Sequence, residues 1–390
     1  MFVLKLNLKT LVFAVFVFFV SSLNAQAEGI STVIPYEIKS GKMIVKMNIY
    51  GSTESFVFDT GAAQSALEAS FIQKHKLEAS DSIKVTDVNS VKSYYKLFKI
   101  NSLQTPDKAF HFSEFNVLMI PAPSMFECLG TVGIIGSDIF QNLICTIDSK
   151  SQTITLSNSN KVPKESLRYA HNFATKDIIP TFNMLINGES VIALFDTGTS
   201  SFIDLMRSDA DKLIAQEAIS VVDTGFGSSA VGVSGVLSAS NSYRVTLPNV
   251  RIGPVRIKNG VVEVANTPFT LVGTEMMKYM KSIIDYPRRR IYIIPLSDEE
   301  IEYNAKSPNL GITIKDGNLV IAVLWSEYRD KLSIYDKITH VNGVPTGIYE
   351  MCDIVNGISL LKGDEPKTLT VRRNDGSIVE VTYRKEVTKI

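Results

Sequence analysis

The chain has 390 residues, enough for two or three domains, and 45% of them are hydrophobic, so a sizeable core is available. Its 40 Lys and Arg balance 40 Asp and Glu, giving a formal net charge of zero. That balance argues against nucleic acid or an anionic membrane surface as a bulk electrostatic partner.

In chain order, residues 1–27 read as a targeting segment. Lys5 and Lys9 precede an unbroken apolar run, Leu11 to Val20, and Ala25-Gln26-Ala27 has the small-x-small form of a cleavage site. The run is shorter than the ~20 residues a spanning helix needs. A signal peptide is therefore expected, with a mature chain starting near Glu28, exported to the periplasm, cell envelope or exterior, and no stable membrane span. An uncleaved anchor is the alternative. Short β-prone runs follow: Met43 to Ile49, Ser55 to Phe58, Lys96 to Ile100, Asn116 to Ile120, Val191 to Phe195, Tyr243 to Leu247 and Gly260 to Val264. Short helices are expected after Asp138 and Glu275 and from Ser208, with Ser208 as the cap. The expected class is all-β. The four histidines and three cysteines show no metal-ligand spacing, so no metal or cofactor is expected. The odd cysteine count allows at most one intramolecular disulfide. Cys128 with Cys145 is the pair to test, with free buried thiols as the alternative.

An internal repeat organises the first three quarters of the chain. FVFDTG ends at Gly61 and ALFDTG at Gly198, which puts Asp59 and Asp196 at an offset of 137. The same offset carries Gly51 onto Gly188, Gly136 onto Gly273 and Asp148 onto Asp285. The stretches near residues 84–120 and 221–265 do not align without gaps. Each Asp-Thr-Gly lies 77 residues ahead of a hydrophobic-hydrophobic-Gly, in Ile134-Ile135-Gly136 and Leu271-Val272-Gly273. Two tandem units in which Asp-Thr-Gly is only a turn are the alternative.

If the two turns meet across a pseudo-two-fold axis, Asp59 and Asp196 face each other in a cleft. Two carboxylates in contact cannot both ionise without a large penalty, so they share a proton. One then takes a proton from a bound water while the other donates to a carbonyl. Thr60 and Thr197 supply hydroxyls to hold the turns together. Gly61 and Gly198 allow close approach, and Ser200 is expected to orient the nearby aspartate. The Gly-rich run Gly225 to Gly235 suits a mobile hairpin tip, with Gly225, Phe226 and Gly227 as candidates to lie over the substrate; Tyr94 and Tyr95 are the candidates for that part in the first half, against the favoured reading of a strand-face tyrosine packed on the lobe. No phosphate-loop ending and no serine-hydrolase elbow is present.

These motifs resemble the retropepsin- and pepsin-like aspartic proteases over roughly Ile34 to Pro295. The resemblance implies two duplicated β-barrel lobes, 28–162 and 163–298, with Asp59 and Asp196 as the catalytic pair acting on peptide or protein substrates. After an acidic stretch read as a linker, 299–308, the chain changes character. Leu310-Gly311-Ile312, Tyr335-Asp336-Lys337-Ile338 and Val341-Asn342-Gly343 resemble a bacterial-type PDZ domain, 309–390, with Tyr335 in place of the usual glycine. That resemblance implies capture of a peptide C-terminus around Leu310, Gly311 and Ile312 by strand addition, with a packing module that binds no peptide, or that leans on the two lobes, as the alternative. The expected function is thus an exported aspartic endopeptidase. The alternative is a catalytically silent peptide-binding or scaffold protein of the envelope, and an Asp59→Asn comparison on peptides discriminates the two.

Overall fold

Period-two burial builds the first strands. In Ser31–Lys39, Thr32, Ile34 and Tyr36 point inward while Val33 is exposed; in Lys42–Ile49, Met43, Val45, Met47 and Ile49 share one buried face. The computed structural model describes residues 29–86, 92–228, 231–232, 235–236 and 239–387, so the expected targeting segment lies outside the described residues. Strands dominate and the helices are short, so the chain is all-β. Among the described residues no helix is long and apolar enough to cross a membrane.

The 137-residue repeat recurs in the hydrogen-bond register. The hairpin Lys42–Ile49 with Ser52–Phe58 pairs Ile44 with Val57 and Ile49 with Ser52. Its counterpart, Thr181–Ile186 with Glu189–Phe195, pairs Thr181 with Leu194 and Ile186 with Glu189. Both two-residue turns take left-handed φ values, 47° and 84° at Tyr50-Gly51 and 48° and 91° at Asn187-Gly188. Such turns match the twist of the flanking strands, which explains the repeated glycine. The halves then join in one antiparallel sheet, ordered Ala170–Asn172, Arg290–Pro295, Met280–Asp285, Ile144–Asp148, Thr153–Ser157 and Ser31–Lys39. At its centre Ile144 pairs with Asp285 and Ile147 with Ser282. A single apolar core runs from Ile34 to Ile293 through both halves.

The helix Arg207–Ala215 starts one residue before Ser208, with Met206 at its cap position and no side-chain cap. Ser208 is therefore not the cap. Instead Thr270 Oγ1 accepts from Met206 N–H and donates to Asp209 in the first turn.

Residues beyond 309 have a core of their own, centred on Leu310, Ile321, Ile338, Leu369 and Val371. This unit is bound to both halves. The segment expected as a linker is strapped down: Ile301–Glu302 pairs with Val255–Ala265, the Tyr303 ring stacks on Phe202 at 3.9 Å, and Lys306–Pro308 pairs with Lys385–Val387. Val323, Leu324 and Trp325 pair with Gly227, Phe226 and Gly225 of the second half. Trp325, the only tryptophan of the chain, is buried under the Arg244 guanidinium 3.8 Å from its ring centroid. On the other side the helices Met125–Leu129 and Met351–Val355 are joined by a disulfide, Cys128–Cys352, and Cys145 is a free buried thiol. The expected Cys128–Cys145 pair is corrected. Cys145 faces the core from the central sheet, whereas Cys128 lies on a surface helix against the C-terminal unit.

This disulfide closes a span of 224 residues, so it restricts the unfolded chain strongly. Replacing both Cys128 and Cys352 by Ser should lower the free energy of the urea transition by about 2–4 kcal/mol. Trp325 emission should shift red before the far-ultraviolet signal is lost. Coincident, wild-type transitions would show that the bond adds nothing to the docking of this unit.

Candidate functional site

Each half delivers one aspartate on a strand buried between two neighbours. Ser52–Phe58 runs parallel to Gly133–Ile135, and Asp59 N–H donates to the Ile135 carbonyl at 2.9 Å. Glu189–Phe195 runs parallel to Thr270–Val272, and Asp196 N–H donates to the Val272 carbonyl, also at 2.9 Å. A backbone strand held on both edges has no freedom to drift, so the residue that follows it is precisely aimed into the junction.

The two turns bind each other reciprocally. Thr60 Oγ1 donates to the Phe195 carbonyl at 2.6 Å and accepts from Thr197 N–H at 3.1 Å. Thr197 Oγ1 donates to the Phe58 carbonyl at 2.6 Å and accepts from Thr60 N–H at 3.0 Å. Both threonines are buried, so all four bonds are shielded from water. Gly61 and Gly198 lie against the opposite aspartates: a Cβ on Gly61 would come within 2.5 Å of Asp196 Cγ, and one on Gly198 would collide with the Asp59 carboxyl. Their N–H groups donate to their own aspartates, Gly61 to Asp59 Oδ1 at 2.9 Å and Gly198 to Asp196 Oδ1 at 2.7 Å; Ala62 N–H adds a third at 3.0 Å.

The carboxyl groups are within hydrogen-bonding reach of each other. Burial raises the proton affinity of both, and the negative charge of Asp59 raises Asp196 further. Lys42 and the turn N–H groups act in the opposite direction. The net direction is upward, so the pair holds one proton above the usual carboxylate range. An apolar cavity of about 330 Å³ opens beside it, lined by Ala62, Ala63, Tyr95, Ile120, Ile179, Phe269 and Leu271 among others.

Other expected residues fall elsewhere. Ser200 is exposed, packs against the Gly41 turn and makes no hydrogen bond to Asp196 among the described contacts. Tyr95 lines the cavity, whereas Tyr94 is 76% exposed; the tip of their hairpin, residues 87–91, lies outside the described residues. Gly225, Phe226 and Gly227 lie in the strand Val221–Gly227, which forms a hairpin with Ser240–Ile252 on one edge and is bonded to Val323–Trp325 on the other; residues 229–230 and 233–234 of the Gly-rich run lie outside the described residues. A Cβ on Gly225 would meet the Trp325 ring at 2.8 Å, so these glycines admit a neighbouring strand. Leu310, Gly311 and Ile312 open the strand Leu310–Lys315, bulged after Gly311 and bonded on one edge to Asn318–Trp325. Tyr335 takes a left-handed φ of 71°, the conformation for which glycine is suited.

The sequence reading missed the supports behind the turns. Asp138 Oδ1 accepts from Ser65 N–H at 3.0 Å and Ser65 O–H at 2.7 Å, fixing the chain after the first turn. Asp204 accepts from Ser201 at 2.7 Å and Thr199 at 3.2 Å after the second. Ser137 donates to the Thr60 carbonyl and meets the buried Tyr286 hydroxyl at 2.9 Å. A carboxylate just beyond each motif, in IIGSD and SSFID, was the available signal. Neither a family model nor a curated protein matches the chain.

Replacing Thr60 or Thr197 by Val removes one donor and one acceptor from the junction and should destabilise by about 1–3 kcal/mol. Ser200→Ala should stay within about 0.5 kcal/mol. Equal transitions for all three variants would deny the reciprocal bonds any role. Burial raises Asp138 to about 6 despite the Ser65 bonds. A carboxyl raised on folding stabilises below its unfolded value, near 4, and that contribution is lost as pH rises through about 6. Relative to Asp138→Asn, the wild type should therefore lose on the order of 2–3 kcal/mol between pH 4 and 7. A constant difference over that range in chemical denaturation would refute the assignment.

Proposed function

We propose that the protein is an exported aspartic endopeptidase. In this reading the two halves are lobes of the retropepsin/pepsin-like type, Asp59 and Asp196 are the catalytic pair, and the C-terminal unit is a PDZ-like module for peptide or substrate C-termini. The observation that carries the reading is the convergence of two repeat-related aspartates, locked by reciprocal threonine bonds, at the edge of an apolar cavity.

The chemistry follows from the shared proton. The ionised member of the pair takes a proton from a water held between the carboxyls, and the water oxygen attacks the peptide carbonyl carbon. The protonated member donates to the carbonyl oxygen as charge develops there. Collapse of the tetrahedral intermediate, with a proton passed to the leaving nitrogen, returns the pair to its single-proton state. The N–H groups of Gly61, Ala62 and Gly198 hold the carboxyls in place throughout. The apolar cavity wall favours an apolar substrate side chain beside the scissile bond.

Two further observations support the rest. A structural disulfide between Cys128 and Cys352 suits an oxidising compartment. The strand Leu310–Lys315 pairs on one edge only among the described residues, which leaves an edge for a peptide strand. Asp59→Asn and Asp196→Asn should each reduce hydrolysis of a proteome-derived peptide library by about 100- to 10,000-fold while the circular dichroism spectrum is kept. Wild-type turnover in either variant would refute the pairing, and absence of cleavage by the wild type from acidic to neutral pH would refute the activity.

A further inference from the structure

One break in the pseudo-symmetry of the site brings a charge to it. The turn Ser40-Gly41, with left-handed φ values of 49° and 75°, carries the first half onto the second. Gly41 lies so close to Ser200 that a Cβ has no room, and its carbonyl accepts from Thr274 Oγ1 at 2.8 Å. The next residue, Lys42, donates its ammonium to the Gly198 carbonyl. Gly198 is the residue whose N–H holds Asp196. The repeat places Ile179 at the matching position of the second half, a buried apolar side chain in the cavity wall. So the Asp196 turn meets a cation, and the position that the repeat makes equivalent to Lys42 holds a hydrocarbon in the cavity wall instead. Lys42 itself is not part of the cavity lining, which leaves the substrate space clear.

From this asymmetry we propose that Lys42 is a positioning residue for the Asp59–Asp196 pair, fixing the second turn through Gly198 and placing a positive charge behind it. The inference rests on the peptidase reading for its consequence in turnover, but not for the interaction itself. The charged and titratable groups that face the pair besides Lys42 are Asp204, from the strand Ile203–Met206, and Asp138 and Tyr286 beyond Ser137. Asp204 is held by the Ser201 and Thr199 hydroxyls, and Asp138 by Ser65. Burial pushes Asp59, Asp196 and Asp204 toward their neutral forms, and Lys42 opposes that push at all three.

The sign of the effect is fixed. A cation favours the ionised form, so its removal makes both proton-binding steps of the pair tighter. Lys42→Met should move both limbs of the kcat/KM profile for a cleaved peptide to higher pH by about 0.5 to 1, a 3- to 10-fold change in proton affinity. Lys42→Arg should follow the wild type. The carbon-13 carboxyl resonances of labelled aspartate read the same displacement without any turnover. In the unsubstituted protein, the nitrogen-15 ammonium resonance of Lys42 should change at the pH where the pair titrates, which tests the coupling even if Lys42→Met does not fold. A Lys42 resonance indifferent to that titration, or a pair whose titration is the same in Lys42→Met, overturns the proposal while leaving peptide hydrolysis intact. Aspartates that respond to Lys42 in a protein without hydrolysis uphold it and overturn the peptidase reading instead.

Discussion

The arrangement depends on four hydrogen bonds between Thr60 and Thr197 and the strands that precede the opposite aspartates. Each threonine uses its hydroxyl as donor and acceptor, and each bond crosses from one half to the other. Two like charges would otherwise drive the turns apart. The buried bonds, with glycine at 61 and 198, make close approach of the carboxyls the geometry in which backbone groups are satisfied. The repulsion is then relieved by binding a proton instead of by moving the chain.

That constraint explains why the rest of the fold repeats so faithfully. The two halves must present the same turn at the same depth, so the hairpin, the parallel strand pair and the left-handed turn residues recur at the 137-residue spacing. Departures lie around the junction, and the four threonine bonds are the same from both sides. The loop from aspartate to the next strand is longer by one residue in the second half, where Asp204 rather than Ala66 lies opposite the central strand. Each half also recruits its own carboxylate behind the turn, Asp138 in one and Asp204 in the other, from non-equivalent positions.

The repeat, the all-β class and the residues that meet at the junction were legible because they depend on local pattern: alternating burial, turn glycines and a fixed spacing. Features that depend on distant packing were not. Nothing local distinguishes Cys352 from Cys145 as a partner for Cys128, because the answer lies in which surface helix faces the C-terminal unit. Lys42 reads as an ordinary solvated lysine at a strand start until its turn is seen lying across the other half. The glycines at 225 and 227 have the composition of a mobile tip, yet the same lack of a side chain admits a neighbouring strand, and only the pairing with Val323–Trp325 separates the two uses.

The C-terminal unit gives that pairing its mechanical weight. It grips the first half covalently through Cys128–Cys352, with Val355 packed near Ile120, Phe126 and Leu129, and the second half through a strand pair and the buried Arg244–Trp325 contact. The first half's grip begins just past Phe115–Ile120, a strand whose Leu118, Met119 and Ile120 also line the cavity beside the aspartates. A body attached to both sides of a junction resists their separation, so the third unit reinforces from outside what the threonines do from within. The same attachment puts Ile120, in the cavity wall, in one apolar cluster with Phe126 and Leu129 of the disulfide-linked helix and Val355 of the outer unit, so the two are joined by close-packed side chains instead of by a flexible tether.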